Sequence, residues 1–147
     1  MSDPLKLSKA YASRDDAAMG GFMKVMKNST VWHTNEFGFW VIMKAVKVGQ
    51  KAVLNYFYSE PEDGGSTEVS LTLPRGVIVV GHCHTHPQRI KTGNFSTGDK
   101  RSFQKLAEVR PGIAYYLLNP ASEIRRAVTE DEFPAGVTVN WNNNVTP

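Results

Sequence analysis

The amino-acid sequence predicts an α+β fold, a sandwich in which helices flank a mixed β-sheet. The elements run helix, strands, helix, strands within 147 residues, a length that suits one domain (1–147) with a real core. The run "VIVVGH" (77–82) is continuously apolar and β-branched, the pattern of a central strand buried on both faces. Two helix starts carry capping residues, Ser13 with Asp16 and Ser96 with Asp99.

Taken in order, the first helix follows Ser13 and places Ala18, Phe22, Val25 and Met26 on one face. Gly20 and Gly21 weaken it, and "NST" (28–30) closes it. In "EFGFWVIMKAVKVGQKAVLNYFYSEP" two runs rich in Val, Ile and aromatics flank "KVGQK", which reads as a β-hairpin. "EDGG" (62–65) is a turn, "TEVSLTL" (67–73) alternates like a strand, and "PRG" leads into the central strand. After the loop "PQRIKTGNF", "STGDKRSFQKLAEV" is a second helix with Ser96 as N-cap and Phe103, Leu106 and Ala107 as its apolar stripe. "RPG" ends it, and "IAYYLLN" and "SEIRRAVT" are two strands about an "NPAS" turn. The polar tail, 140–147, is expected to be loose.

Composition narrows the functional classes. Hydrophobic residues make up 41% and charged residues 21%, ordinary for a soluble globular protein. No apolar run approaches the ~20 residues that span a bilayer. The first residues have no signal-peptide core, so the expectation is a soluble protein, cytoplasmic or delivered into a target cell by a carrier system. The net charge of +3 comes from scattered Lys and Arg without a basic block, so nucleic acid is not an expected partner. Cys83 is the single cysteine, which excludes an internal disulfide and reads as a small buried hydrophobe.

Three of the four histidines lie at 82, 84 and 86. On a strand these share one face, with Cys83 and Thr85 on the other. Alternate residues stand roughly 6.6 Å apart, close enough for two imidazoles to lean toward one ion at Zn–N distances of about 2.0–2.1 Å. Spacing alone leaves 82/84 and 84/86 both open. Position favours 84/86: His82 follows Gly81 in the buried run, whereas Pro87 ends the strand where open sites are built. A hydrolytic zinc site needs a third ligand and an open fourth position. Asp99 is a suitable carboxylate, but its capping role with Ser96 competes for the same oxygens.

"HTHP" (84–87) followed by "STGD" (96–99) resembles the H-x-H-P…S-x-x-D signature of the JAB/MPN (JAMM) zinc metallopeptidases. "GHCHTHP" (81–87) matches the family's G-x-x-H-[ST]-H-P segment in register, and the resemblance covers roughly residues 14–128. It implies an MPN-type, cytidine-deaminase-like sheet. It also implies a glutamate at the start of an earlier strand after a helix; "NEFGFWVIM" offers Glu36, with Gly38 close behind. The nine residues between His86 and Ser96 exceed the family's usual gap. This sets the chain apart from the deubiquitinating members and closer to bacterial JAB-like domains, including toxin modules of Rhs-type polymorphic secreted proteins.

The resemblance implies the following chemistry. His84, His86 and Asp99 bind Zn²⁺, Glu36 is the general base, and Ser96 donates to the oxygen of the tetrahedral intermediate. The implied activity is hydrolysis of an amide bond in a protein tail or conjugate. The implied partners are a protein or peptide substrate, a larger carrier and a cognate immunity protein. Two alternatives remain open. One is a non-catalytic MPN-like binding scaffold, against which stand all five expected residue types. The other is a metal-dependent nucleic-acid-acting toxin, which finds no basic aromatic cluster to support it. Phe39, Trp40, Tyr56, Phe57 and Tyr58 fit core packing, with a peptide groove as the alternative. His33 matches no motif position and reads as a surface residue.

Overall fold

The computed structural model describes residues 5–65, 71–88, 90 and 93–147. It is an α+β structure built on one seven-stranded sheet. The strands are β1 (Phe37–Val48), β2 (Lys51–Tyr58), β3 (Glu62–Asp63), β4 (Ile78–Thr85), β5 (Ala114–Leu118), β6 (Ile124–Ala127) and β7 (Val137–Val139). Their order is β2-β1-β4-β5-β6-β7, with β3 also paired to β1. Only the β4–β5 pairing is parallel among the described strand pairs. It needs a crossover, which α2 (Thr97–Val109) supplies.

Strand alternation assigns the two faces. Phe39, Val41, Cys83, Tyr116 and Leu118 pack with Ala17, Ala18, Met19, Phe22 and Val25 of α1 (Arg14–Asn28). Trp40, Ile42, Val79, Tyr115 and Leu117 pack with Phe103, Leu106 and Ala107 of α2. One helix therefore covers each face, and the histidines lie on the α2 face because they alternate with Cys83. A bulge between Val41 and Ile42 leaves Val80 as the extra residue of β4. The bulge lets Val79 face α2 while Val80 packs toward α1.

The expected hairpin is present, with a two-residue Gly49–Gln50 turn whose Gly49 takes positive φ, as tight hairpins require. The two glycines that weaken α1 as a sequence are used for close approach. A Cβ at Gly20 would collide with the Tyr11 ring, and one at Gly21 with the Phe39 ring. Among the described residues, no helix is long and apolar enough to cross a membrane.

Several expectations are corrected. Of the strand expected at 67–73, residues 67–70 lie outside the described residues and Leu71–Leu73 form no strand. Within "EDGG", Glu62 and Asp63 pair with Gly38 and Phe37, so the turn comes only after them. The tail 140–147 is not loose. Val145 is buried in the α1-side core, the Trp141 indole donates to the Ser122 carbonyl, and the Tyr11 hydroxyl donates to the Thr146 carbonyl. Val145 and the Trp141 indole seat an otherwise polar run, and bonds to Ser122, Tyr11 and Met19 hold it at three points. His33 is half-buried rather than a plain surface residue. Its ring meets that of Trp32 at a tilt, with centroids 3.9 Å apart, and its carbonyl accepts from the Gln88 N–H.

Candidate metal centre

β4 ends beside the start of β1, and this junction places the chemistry-bearing residues. The antiparallel register pairs Trp40 with His82 and Gly38 with His84. Continued two residues further, it sets Glu36 opposite His86. The junction is pinned by Thr85, whose hydroxyl accepts from the Phe37 N–H at 2.9 Å. His86, just past the strand, is held by its N–H donating to the Leu118 carbonyl. Glu36 is held by backbone bonds to Gly64 and Gly65 in the loop after β3.

α2 brings the third group from the other side. Its N-cap Ser96 accepts from the Asp99 N–H at 3.0 Å, and Asp99 Oδ2 accepts from the Ser96 N–H at 2.7 Å. This capping box locks the Asp99 carboxylate over the end of β4. The same carboxylate straddles both imidazoles: His84 Nε2 lies 3.1 Å from Oδ1, and His86 Nε2 lies 3.2 Å from Oδ2. The competition for oxygens expected from the sequence is therefore resolved by sharing, since a carboxylate oxygen has two lone pairs.

His84, His86 and Asp99 are all buried, and each offers a ligand atom within 4.8 Å of the others. Bonds of about 2.0–2.1 Å in a tetrahedral shell would set ligand atoms roughly 3.3–3.4 Å apart. The two imidazole–carboxylate separations come close to that spacing. His84 makes a further test. Its Nε2 contact with Asp99 lacks hydrogen-bond geometry, and its Nδ1 is likewise buried without a hydrogen-bond partner. His84 Nε2 therefore faces the Asp99 carboxylate without a well-formed hydrogen bond and is placed where it could also meet a cation. The three residues thus form a group that could hold a metal ion.

The electrostatics are tightly coupled. Burial disfavours protonation of His84, but the Asp99 and Glu36 carboxylates outweigh it and leave the ring above its ordinary value. Burial likewise works against the Asp99 charge, yet His84 first, then His86 and the Ser96 N–H, hold this carboxyl far below the usual range. Cys83 faces away among core residues, and burial pushes its thiol up, which leaves it an inert filler.

Beside the centre opens a cavity of about 390 Å³. Glu36, His84 and Asp99 border it, together with Trp40, Leu71, His82 and Tyr115 and, from α2, Ser102, Lys105 and Leu106. Of the residues singled out from the sequence, the structure brings together Glu36, His84, His86 and Asp99. Ser96 stands apart from this cavity: it is exposed and borders a separate depression of about 200 Å³. Ser102 and Lys105 were not singled out. Their spacing of three and six residues from Asp99 on an expected helix was the available signal.

His82 is buried, stacked on Tyr115 at 4.5 Å and edge-on to Trp40 at 5.1 Å. Burial, helped by nearby His84, pushes its pKa down to about 3. The unfolded chain then takes up this proton near pH 6.5 while the folded chain does not, so His82 stability is present above 6.5 and lost as pH falls toward 3. The loss runs at roughly 1.4 kcal/mol per pH unit. His82→Phe keeps the ring contacts and removes the titration. Urea unfolding from pH 7 to pH 5 is expected to show the wild type losing about 2 kcal/mol relative to this variant. Parallel curves would refute the neutral buried imidazole.

No protein-family model matches the chain, and neither the curated proteins nor the solved structures contain a significant match to it.

Proposed function

We propose that the chain is a JAMM-type zinc metallopeptidase or isopeptidase that hydrolyses an amide bond in a protein tail or conjugate. The observation that supports this reading is the convergence of His84, His86 and Asp99 at ligand spacing, with Glu36 on the adjoining cavity. The two neutral imidazoles and the one carboxylate would hold Zn²⁺ and leave it net positive. When bound, the ion supplies Lewis-acid activation of a water and of the substrate carbonyl. Glu36, buried yet bordering the cavity, accepts the proton of the attacking water and returns one to the leaving amine. Asp99 keeps its position through the α2 capping box, so Ser96 acts as a positioning residue. Its oxygen serves as acceptor in that cap, and because Ser96 lies outside the cavity the oxyanion-donor role expected of it is not assigned to it.

The two-sided wall of Trp40, Leu71, Leu106 and Tyr115 would exclude water from the scissile bond. A bacterial toxin or effector role, with a carrier and an immunity protein, follows from the resemblance in the H-x-H-P…S-x-x-D segment and belongs to the same proposal. Elemental analysis of purified protein is expected to give one zinc per chain. A chelator should abolish cleavage in a peptide-library digest, and added zinc should restore it. Cleavage that persists after the metal is stripped would overturn the reading.

A further inference from the structure

The α2 wall of the cavity carries a charge pattern that the metallopeptidase chemistry leaves unused. Asp99, Ser102 and Lys105 lie three residues apart and all face the cavity, with Leu106 beside them. Asp99 belongs to the metal centre. Lys105, six residues on, stands about 9 Å further along the helix at 1.5 Å rise per residue. It is the one Lys or Arg among the described residues that line the cavity. It is exposed and forms no ion pair with the described residues, although Glu108 follows one turn later on the same helix. The described lining of the cavity thus combines two carboxylates, Glu36 and Asp99, with one cation, Lys105, set along α2 from Asp99, and the apolar side chains of Trp40, Leu71, Leu106 and Tyr115.

We propose, resting on the metallopeptidase reading above, that Lys105 is a specificity residue that binds a carboxylate of the substrate, with Ser102 as a second hydrogen-bond donor. With Zn²⁺ held by Asp99 and the two imidazoles, Glu36 offsets the remaining positive charge, so Lys105 is the uncompensated cation among the described lining residues and a substrate carboxylate aligns toward it. An extended peptide advances about 3.3–3.6 Å per residue, which puts that carboxylate about two or three residues from the scissile carbonyl. Trp40, Leu71, Leu106 and Tyr115 then receive an apolar side chain between the two. The volume of about 390 Å³ falls at the small-ligand end of binding cavities and suits a short peptide segment. The carboxylate can be a free chain end or an acidic side chain; the recognising chemistry is the same.

Binding is measured by calorimetry on Glu36→Gln protein, which blocks turnover, and on Glu36→Gln with Lys105→Met. The probes are N-acetyl-alanyl-phenylalanyl-alanine, its C-terminal amide, and N-acetyl-alanyl-phenylalanyl-glutamic acid amide, whose carboxylate is on the side chain. The free acid is expected to bind about tenfold tighter than the amide, and Lys105→Met should shrink that ratio to about twofold or less. If the glutamic acid amide matches the free acid, the site reads any carboxylate; if it matches the plain amide, the site reads a chain end, and both results support the proposal. Equal binding of acid and amide, no binding of the acid at millimolar concentration, or a preference that survives Lys105→Met would overturn it. Zinc content is read on the same samples. Absence of zinc defeats the metallopeptidase reading while the acid–amide comparison still judges Lys105; bound zinc without a preference defeats Lys105 alone.

Discussion

Asp99→Ala is expected to reduce bound zinc from one per chain to near none, with affinity weakened roughly 10³-fold or more, about 4 kcal/mol. The size of this effect follows from two roles in one carboxylate. Asp99 is the sole anionic member of the ligand group, and it is the only member that comes from outside the β4 end. Without it two imidazoles remain, adjacent and buried, with nothing to offset the ion's charge but Glu36. Its loss also removes the acceptor for the Ser96 N–H, so the first turn of α2 weakens by about 1 kcal/mol. The two effects separate in Ser96→Ala, which disrupts the cap and leaves the ligand. Inductively coupled plasma analysis, with circular dichroism to show that each variant folds, gives the answer. Unchanged zinc in Asp99→Ala would remove this residue from the ligand set and with it the reading of α2 as the third wall of the centre.

The sequence made much of this arrangement legible for local reasons. Alternation in a strand puts His84 and His86 on one face whatever the rest of the chain does, and Pro87 marks where that strand must end. The S-x-x-D pattern at 96–99 announces a helix start, and the cap forms as expected. Other features depend on contacts that no local pattern encodes. The bulge at Val80 interrupts a run that reads as uniform, because the register is set by the partner strand β1 and not by β4 itself. Asp15 looks like an ordinary first-turn acid, yet it accepts hydrogen bonds from Tyr116 and Arg126, more than a hundred residues away in sequence. The tail hides its anchor in Val145, and β7 is a strand of three residues. Around the candidate site, the grouped residues His84, His86 and Asp99 announce themselves by spacing, whereas the cavity wall does not. Trp40, Leu71 and Tyr115 are apolar residues like any others until β1, β4, β5 and α2 are brought together.

Glu36→Gln tests the remaining part of the chemistry and carries the larger expected effect on rate. The substitution is nearly isosteric, so the backbone bonds to Gly64 and Gly65 and the place at the head of β1 should persist. What is lost is the ability to take a proton. General-base contributions are about 10²–10⁴-fold, so kcat is expected to fall by roughly 10³. Zinc should stay bound, because Glu36 is not among the three grouped ligands. Removing its charge weakens the attraction for the cation only through space, and a change of several-fold in affinity is the most that follows. The pair of measurements matters more than either alone. A slow variant with full zinc assigns the proton transfer to Glu36. Loss of zinc with loss of rate would make Glu36 a ligand instead. A wild-type rate would leave the cavity without its base and remove Glu36 from the hydrolytic chemistry, whatever the zinc content of the variant.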